Sequence, residues 1–349
     1  MLNLLGLDQF VDRLAPEVGI DLGTANTPVL TRSRGICWNE PSYLALDRRE
    51  RRVIAVGSRA RRMQGRAPSH VQVVRPIQNG VIADYEMAQV LLSHALGQVR
   101  QGMLRPRVLV GIPADATDVE CQALADAVRD AGARSVFLLP QPLLAALGAG
   151  LPVLDPRASM VVDVGGGSSQ AAVLSSGAIV ASGCIRTAGH RMDLAVASYL
   201  RHRHNLIVGD CSAEDLKIEA GAALEEDTVR TATVRGRDLH SGLPRSILVD
   251  SNELARVLAP VTAEIAALVK STLESTPPEL VGQVKESGMA LCGGGSLLRG
   301  MDGLIGQVTG VACRRVERPL ECLALGAQKL FSDPRTMRVV LGGHERAQA

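Results

Sequence analysis

Twice in this 349-residue chain an apolar run ends in an aspartate, with a glycine two positions later. "GIDLGTANTPVL" (Gly19 to Leu30) and "MVVDVGGGSSQAAVL" (Met160 to Leu174) each read as strand, tight turn and strand. Their aspartates, Asp21 and Asp163, lie 142 residues apart. A carboxylate in a buried strand is costly unless a cation or hydrogen-bond donors accompany it. Glycines beside it let backbone N–H groups approach an anion without side-chain obstruction. Two such hairpins imply a duplicated architecture, two similar domains facing one another as a phosphate clamp. Thr24, Thr27, Ser168 and Ser169 would supply hydroxyls, and the carboxylates would hold a hydrated Mg²⁺. One hairpin alone would read as an ordinary turn, with Asp163 capping its own loop; the matched pair favours phosphate.

Other nucleotide folds fit poorly. No G-x-x-x-x-G-K-[ST] run is present, which excludes a P-loop. "GGGSSQ" is not followed by a helix with dinucleotide-binding spacing. A third glycine run, Gly293 to Gly295, reads as a strand entering a helix. Its flat backbone suits a nucleoside lying across it, or a plain packing turn.

The sequence between these motifs alternates strand and helix, the signature of an α/β sheet. "RVLVGIP" and "SVFLLP" read as buried strands, "DVECQALADAVRDAGA" as a helix, and Pro142 opens another. A polar helical stretch near 190–222, a β-like "TVRTATVRG" and a long helix over about 252–273 follow the second hairpin. Only seven residues are Phe, Trp or Tyr, so the cores rest on Ala, Val, Leu and Ile, and base-stacking on nucleic acid is not expected. Net charge is +2, which selects no partner. Seven scattered cysteines without a C-x-x-C pair read as reduced thiols. The arginine-rich segment from Asp47 to Arg66 reads as a small solvated subdomain, and "RHRH" (Arg201 to His204) lacks the partners of a metal site. No apolar run approaches the ~20 residues of a spanning helix. The N-terminal stretch is amphipathic through Leu4, Leu7, Phe10, Val11 and Leu14. Docking on its own domain and membrane contact are both open for it, and its one basic residue there, Arg13, gives lipid little electrostatic hold.

Together "IDLGTANT", "RPIQNGVIADYE", "VLVGIPADATDVE", "GAGLPV", "MVVDVGGGSS", "VRGRDLHSGLPRS" and "CGGGSLLRG" resemble the MreB-type bacterial actins, colinearly from about residue 18 to 330. The resemblance implies an actin-like ATPase fold, two large domains each with a small subdomain, with ATP-Mg²⁺ in the cleft. On that pattern domain I spans 1–154 with its small subdomain at about 42–75. Domain II spans 155–322 with its own at about 191–254. Residues 323–335 return to domain I, and a tail over 336–349 is expected to lack structure. It further implies filaments on the inner face of the cell membrane that organise wall synthesis and keep the cell elongated. The implied partners are other copies of the chain, the inner membrane surface and the wall-synthesis machinery, with no nucleic acid.

By position, Gly23, Thr24, Ala25 and Asn26 would hold the β- and γ-phosphates, with Gly165, Gly166 and Gly167 opposite. Asp21 and Asp163 would hold the magnesium's waters. Glu214 and Lys217 match positions that touch ribose and adenine, and Gly293, Gly294, Gly295 and Ser296 would support the adenosine. Met103 and Leu104 fall where the family presents an apolar loop to the membrane.

The chain departs from that family at the position of catalysis. Pro140-Gln141-Pro142 replaces the usual Glu-Glu-Pro, and Gln141 can orient a water but cannot accept its proton. Ser168, assigned with Gln141 to catalysis, and Gln170 stand where Thr and Glu are usual; Asn79 and His190 stand where Asp is usual. Pro28 enters the return strand of the first hairpin, where it donates no ladder bond. These changes imply a divergent paralogue, at most a slow ATPase. A sugar kinase of the same superfold and a non-hydrolysing, nucleotide-dependent scaffold are the alternatives. A chaperone ATPase is disfavoured, since nothing beyond residue 330 would form a peptide-binding domain.

Overall fold

A computed structural model describes residues 15–99 and 104–345. The chain divides into two units, residues up to 154 together with those from 321 onward, and residues 155–320.

The first unit begins as an antiparallel meander of β1 (Glu17–Ile20), β2 (Asn26–Thr31) and β3 (Gly35–Pro41). Next come β4 (Leu44–Asp47), β5 (Arg52–Val56), helix α1 (Ser58–Met63) and β6 (Val71–Val74). These three strands form a separate small sheet in the order β5-β4-β6. Its core is slight: Tyr43, Ala45, Ala55 and Ala60. The two-stranded hairpin β7 (Ile77–Gln78) and β8 (Val81–Ile82) turns on Asn79-Gly80, both at positive φ, as a two-residue hairpin turn requires. Helix α2 (Tyr85–Val99), β9 (Arg107–Ile112), α3 (Asp118–Asp130), β10 (Ser135–Pro140) and α4 (Gln141–Gly148) complete this stretch. Strands β9 and β10 join the meander in parallel, giving the order β10-β9-β1-β2-β3. Val18, Ile20, Val29, Val108 and Val110 form its core with Leu91, Leu92 and Val128 of α2 and α3.

The second unit repeats the plan. β11 (Ser159–Val164), β12 (Ser169–Ser175) and β13 (Ala178–Ile185) form the meander. Helix α5 (Gly189–His204), β14 (Leu206–Ile207), α6 (Asp210–Ala220), β15 (Thr231–Asp238) and β16 (Pro244–Asp250) follow, with β14-β15-β16 as a second small sheet. The long α7 (Ser251–Glu274), α8 (Pro278–Ser287), β17 (Met289–Cys292), α9 (Met301–Thr309) and β18 (Cys313–Arg315) close the unit. The sheet order is β13-β12-β11-β17-β18, with β17 and β18 parallel to β11. Both large sheets are thus a three-stranded meander extended by two parallel strands from its first member, the duplication implied by the paired hairpins.

Two expectations about local structure are corrected. The tail was expected to lack structure, yet after α10 (Cys322–Ser332) the chain forms α11 (Pro334–Glu345). Asp333 starts it: its carboxylate accepts from the Arg335 and Thr336 amides and the Thr336 hydroxyl, and these bonds hold its pKa below the ordinary range. Pro334 then takes the first position, where its missing N–H costs nothing. The Gly293 run does not lead straight into an α-helix either. It forms a 3₁₀ turn over Gly294–Leu297, with the α-helix starting only at Met301.

Helices α4 and α10 of the first unit touch backbone to backbone. A Cβ on Gly148 would fall on the Cys322 carbonyl oxygen, and one on Gly326 on the Leu144 carbonyl oxygen. The Cys322 thiol donates to Ala145 O at 3.2 Å and Lys329 Nζ to Leu147 O at 3.0 Å, which fixes α4 and with it Gln141 at its start.

Candidate functional site

In both units the aspartates, Gln141 and the glycine turns lie at the carboxyl ends of parallel strands, the end where open α/β sheets bind ligands, whereas Glu214 and Lys217 come from α6 and Leu104 precedes β9. Asp21 follows β1, Gly111 is the next-to-last residue of β9, and Gln141 follows β10; Ile20 pairs with Val110, and Pro140 with Ile112. Gly111 admits Gln141, since a Cβ there would stand 3.1 Å from Gln141 Cγ. Gln141 is buried.

The first hairpin resolves how Pro28 is tolerated in an interior strand. The N–H and C=O of one strand residue leave on the same side, and Pro28 O accepts from Asp21 N at 3.1 Å. The missing donor therefore faces the Asp21 carbonyl, which takes the Gly23 N–H instead, at 3.0 Å. Gly23 needs its bare α-carbon, because a Cβ would lie 2.5 Å from Asn26 O. Ser42, a residue the sequence reading missed, braces the turn: its hydroxyl donates to Gly23 O at 2.6 Å and its amide to Ala25 O at 3.0 Å. The Ser42 proton is used there, so in the 2.8 Å Thr27–Ser42 contact Thr27 is the donor. Thr27, expected to offer its hydroxyl to a phosphate, spends it inside the fold. Thr24 Oγ1 accepts from Gly80 N at 3.0 Å, which ties the Asn79-Gly80 turn to the loop.

In the second unit Asp163 is the next-to-last residue of β11 and stands beside Cys292 across the parallel ladder to β17. It is 7 % exposed, and its pKa is pushed up to about 6 by burial, against a lowering contribution from the Cys292 thiol, whose sulfur is 3.7 Å from Oδ1. Gly293, at φ 80°, makes room for this carboxylate: a Cβ there would fall on Asp163 Oδ1 and on Val164 O. Gly165 to Ser168 form the turn to β12, closed by Gly165 N to Ser168 O at 3.0 Å. The first amides of α5, those of Gly189 and His190, donate to Gly165 O and Gly166 O at 3.2 and 2.8 Å. Ser168 is buried in this turn, while Ser169, also expected to face phosphate, donates instead to Thr187 O at 2.7 Å.

Lys217 on α6 donates to Gly189 O at 3.3 Å and pairs with Asp193 at 2.6 Å. Both partners are largely buried, so Asp193 is a second residue the sequence reading missed. The signal was faint: Lys217 is one of only four lysines, and a half-buried lysine calls for a counter-charge. Glu214 lies one turn earlier on the same helix. Ser296 closes the 293–296 turn by donating to Gly293 O at 2.6 Å.

Leu104 is 37 % exposed, while Met103 and the N-terminal amphipathic stretch lie outside the described residues. Among the described residues no helix is long and apolar enough to cross a membrane, and no three His, Cys, Asp or Glu side chains gather as a metal site. In "RHRH", His204 Nε2 lies 3.0 Å from a Glu253 carboxylate oxygen, and His202 Nδ1 2.8 Å from Ser198 O.

A duplicated α/β core with glycine hairpins at matching strand ends is the actin-like ATPase fold. Solved structures share it. MreB5 of Spiroplasma citri bound to ADP superposes with a TM-score of 0.88 at 34% identity, over 93% of this chain and 98% of that one. The MamK double helical filament shares the fold at 0.76 and 19% identity, over 91% and 99%. The sequence model of the MreB/Mbl protein family matches residues 15–339. The chain is 41% identical over 331 residues to the cell shape-determining protein MreB of Escherichia coli (93% of this chain, 95% of that protein). It is 40% identical over 314 residues to the cell shape-determining protein Mbl of Bacillus subtilis (89% and 94%). It belongs to the MreB/Mbl family.

Proposed function

We propose that this protein is an actin-like cytoskeletal element that binds ATP with Mg²⁺ and polymerises into membrane-associated filaments, which organise wall synthesis and maintain rod shape. The observation that carries the reading is the state of Asp163. A buried carboxyl pushed up to about 6, with a glycine cut away beside it, is a poor structural residue and a good partner for an incoming cation. The relatives' names supply the cell-shape role, and the ADP bound by MreB5 supplies the class of ligand.

Mg²⁺, when bound, would neutralise phosphate charge. Asp163 and Asp21 would hold its waters; Gly23 to Asn26 and Gly165 to Gly167 would bring backbone to the phosphates. Glu214, Lys217 and Gly293 to Ser296 would take the nucleoside. Gln141 would orient the attacking water without accepting its proton, which would keep turnover slow at most, and Ser168 would stand beside the phosphates. Leu104, with Met103, would meet the inner face of the membrane.

Calorimetry with Mg-ATP, and pelleting with ATP, ADP and no nucleotide, test the reading together. Saturable binding and ATP-dependent sedimentation are expected. Absence of any nucleotide binding would overturn it.

A further inference from the structure

Helix α6 carries Glu214 and Lys217, and the turn after β17 carries Gly293 to Ser296. One side chain ties these distant segments together. Arg299 Nη2 donates to Ala220 O at 2.9 Å and Nε to Gly221 O at 3.2 Å, while Nη1 faces Glu226 Oε2 at 3.4 Å. The last carbonyls of a helix have no partner within it, and a cation there also complements the helix dipole. The rigid guanidinium fork fixes direction as well as distance, which a lysine would not. Main chain reinforces the contact: Ala223 N donates to Arg299 O at 2.7 Å, and Ala222 bridges Arg299 in parallel. The packing is tight, since a Cβ on Gly221 would fall on the Lys217 carbonyl oxygen and within 3.0 Å of Leu298 Cδ1. Lys217 lies one helical turn before the capped carbonyls, and Ser296 three residues before Arg299.

We propose that Arg299 is a positioning residue for nucleotide binding, clamping the end of α6 to the 293–299 turn and so setting the gap between the two nucleoside-contacting segments. This rests on the nucleotide reading of the second unit. It makes a distinction that a merely stabilising arginine would not. The phosphate-side residues, Asp163 and Gly165 to Gly167, belong to the β11–β12 hairpin, and Arg299's bonds go instead to α6 and the loop after it. Loss of the clamp should therefore weaken recognition of the nucleoside and spare that of the phosphates.

The test compares wild type, Arg299→Met and Arg299→Lys for Mg-ATP affinity by calorimetry, and for competition by Mg-tripolyphosphate against a fluorescent ATP analogue. Arg299→Met should bind ATP about tenfold to a hundredfold more weakly, the equivalent of one lost charge-assisted hydrogen bond. Its tripolyphosphate competition constant should stay within about twofold of wild type. Arg299→Lys keeps one donor for Ala220 O and should recover part of the loss, which also covers the case of a Met variant that fails to fold. Unchanged ATP affinity in a folded variant, or equal losses for ATP and tripolyphosphate, would overturn the proposal. A wild type that binds no ATP would instead sink the nucleotide reading on which it stands.

Discussion

Asp163→Asn should make the ligand-free protein more stable while destroying its Mg-ATP binding. The carboxyl is raised from the ordinary 3.8 to about 6, chiefly by burial. Each tenfold weakening of an acid corresponds to about 1.4 kcal/mol, so the ionised group costs the fold about 3 kcal/mol at neutral pH. With a folded-state pKa above the unfolded one, the stability this group contributes is complete below about pH 4. It is lost as pH rises through about 6. Asparagine has nearly the same shape and no charge, so the variant should gain up to about 3 kcal/mol at pH 8 and nothing at pH 4. For a unit of this size that corresponds to a rise in Tm of about 6–12 °C at the upper pH. Thermal melts of both proteins from pH 4 to pH 8, in chelator and without nucleotide, read the difference directly. Calorimetry with Mg-ATP at pH 8 reads the other half. Equal stability at pH 8, or a constant offset across the pH range, would refute the reasoning, as would wild-type nucleotide affinity in the variant.

Three further changes probe the site. Gly293→Ala forces a Cβ into Asp163 and Val164 at positive φ, and should destabilise the second unit by about 2 kcal/mol or more in denaturant titration. Asp193→Ala strands the charge of Lys217 and should cost about 3 kcal/mol with weakened ATP binding; Asp193→Leu combined with Lys217→Met should recover stability but not affinity. Gln141→Glu should speed γ-phosphate release in single-turnover measurements, by less than the ~10²–10⁴ of full general-base assistance, because Gln170 and His190 also differ from the family. An equal or slower rate would mean that position 141 is not what limits turnover.

The paired hairpins made the duplicated core legible from sequence, because strand, aspartate and glycine are local signals and their repetition is a fold-level one. The helix over Pro334–Glu345 was missed: Asp333-Pro334 is a start signal, but the polar, glycine-containing residues that follow read as a tail without structure. Hydroxyl direction was not. Thr27 and Ser169 sit in the expected hairpins, at the starts of their return strands, yet what each bonds depends on Ser42 and Thr187, which follow the neighbouring strands. Asp193 and Arg299 escaped for the same reason. Their partners, Lys217 and the carbonyls of Ala220 and Gly221, are set by how helices pack, and no spacing encodes that.

The backbone contact of α4 with α10 also bears on biosynthesis. Residues 155–320 are contiguous and can fold as soon as they leave the ribosome, whereas the first unit lacks α10 until the whole second unit has been made. Until then Gly148 of α4 lacks the Cys322 backbone it packs against. On the proposed reading, an emerging chain would complete its nucleotide site only with its last helices, and a growing filament would recruit only finished molecules.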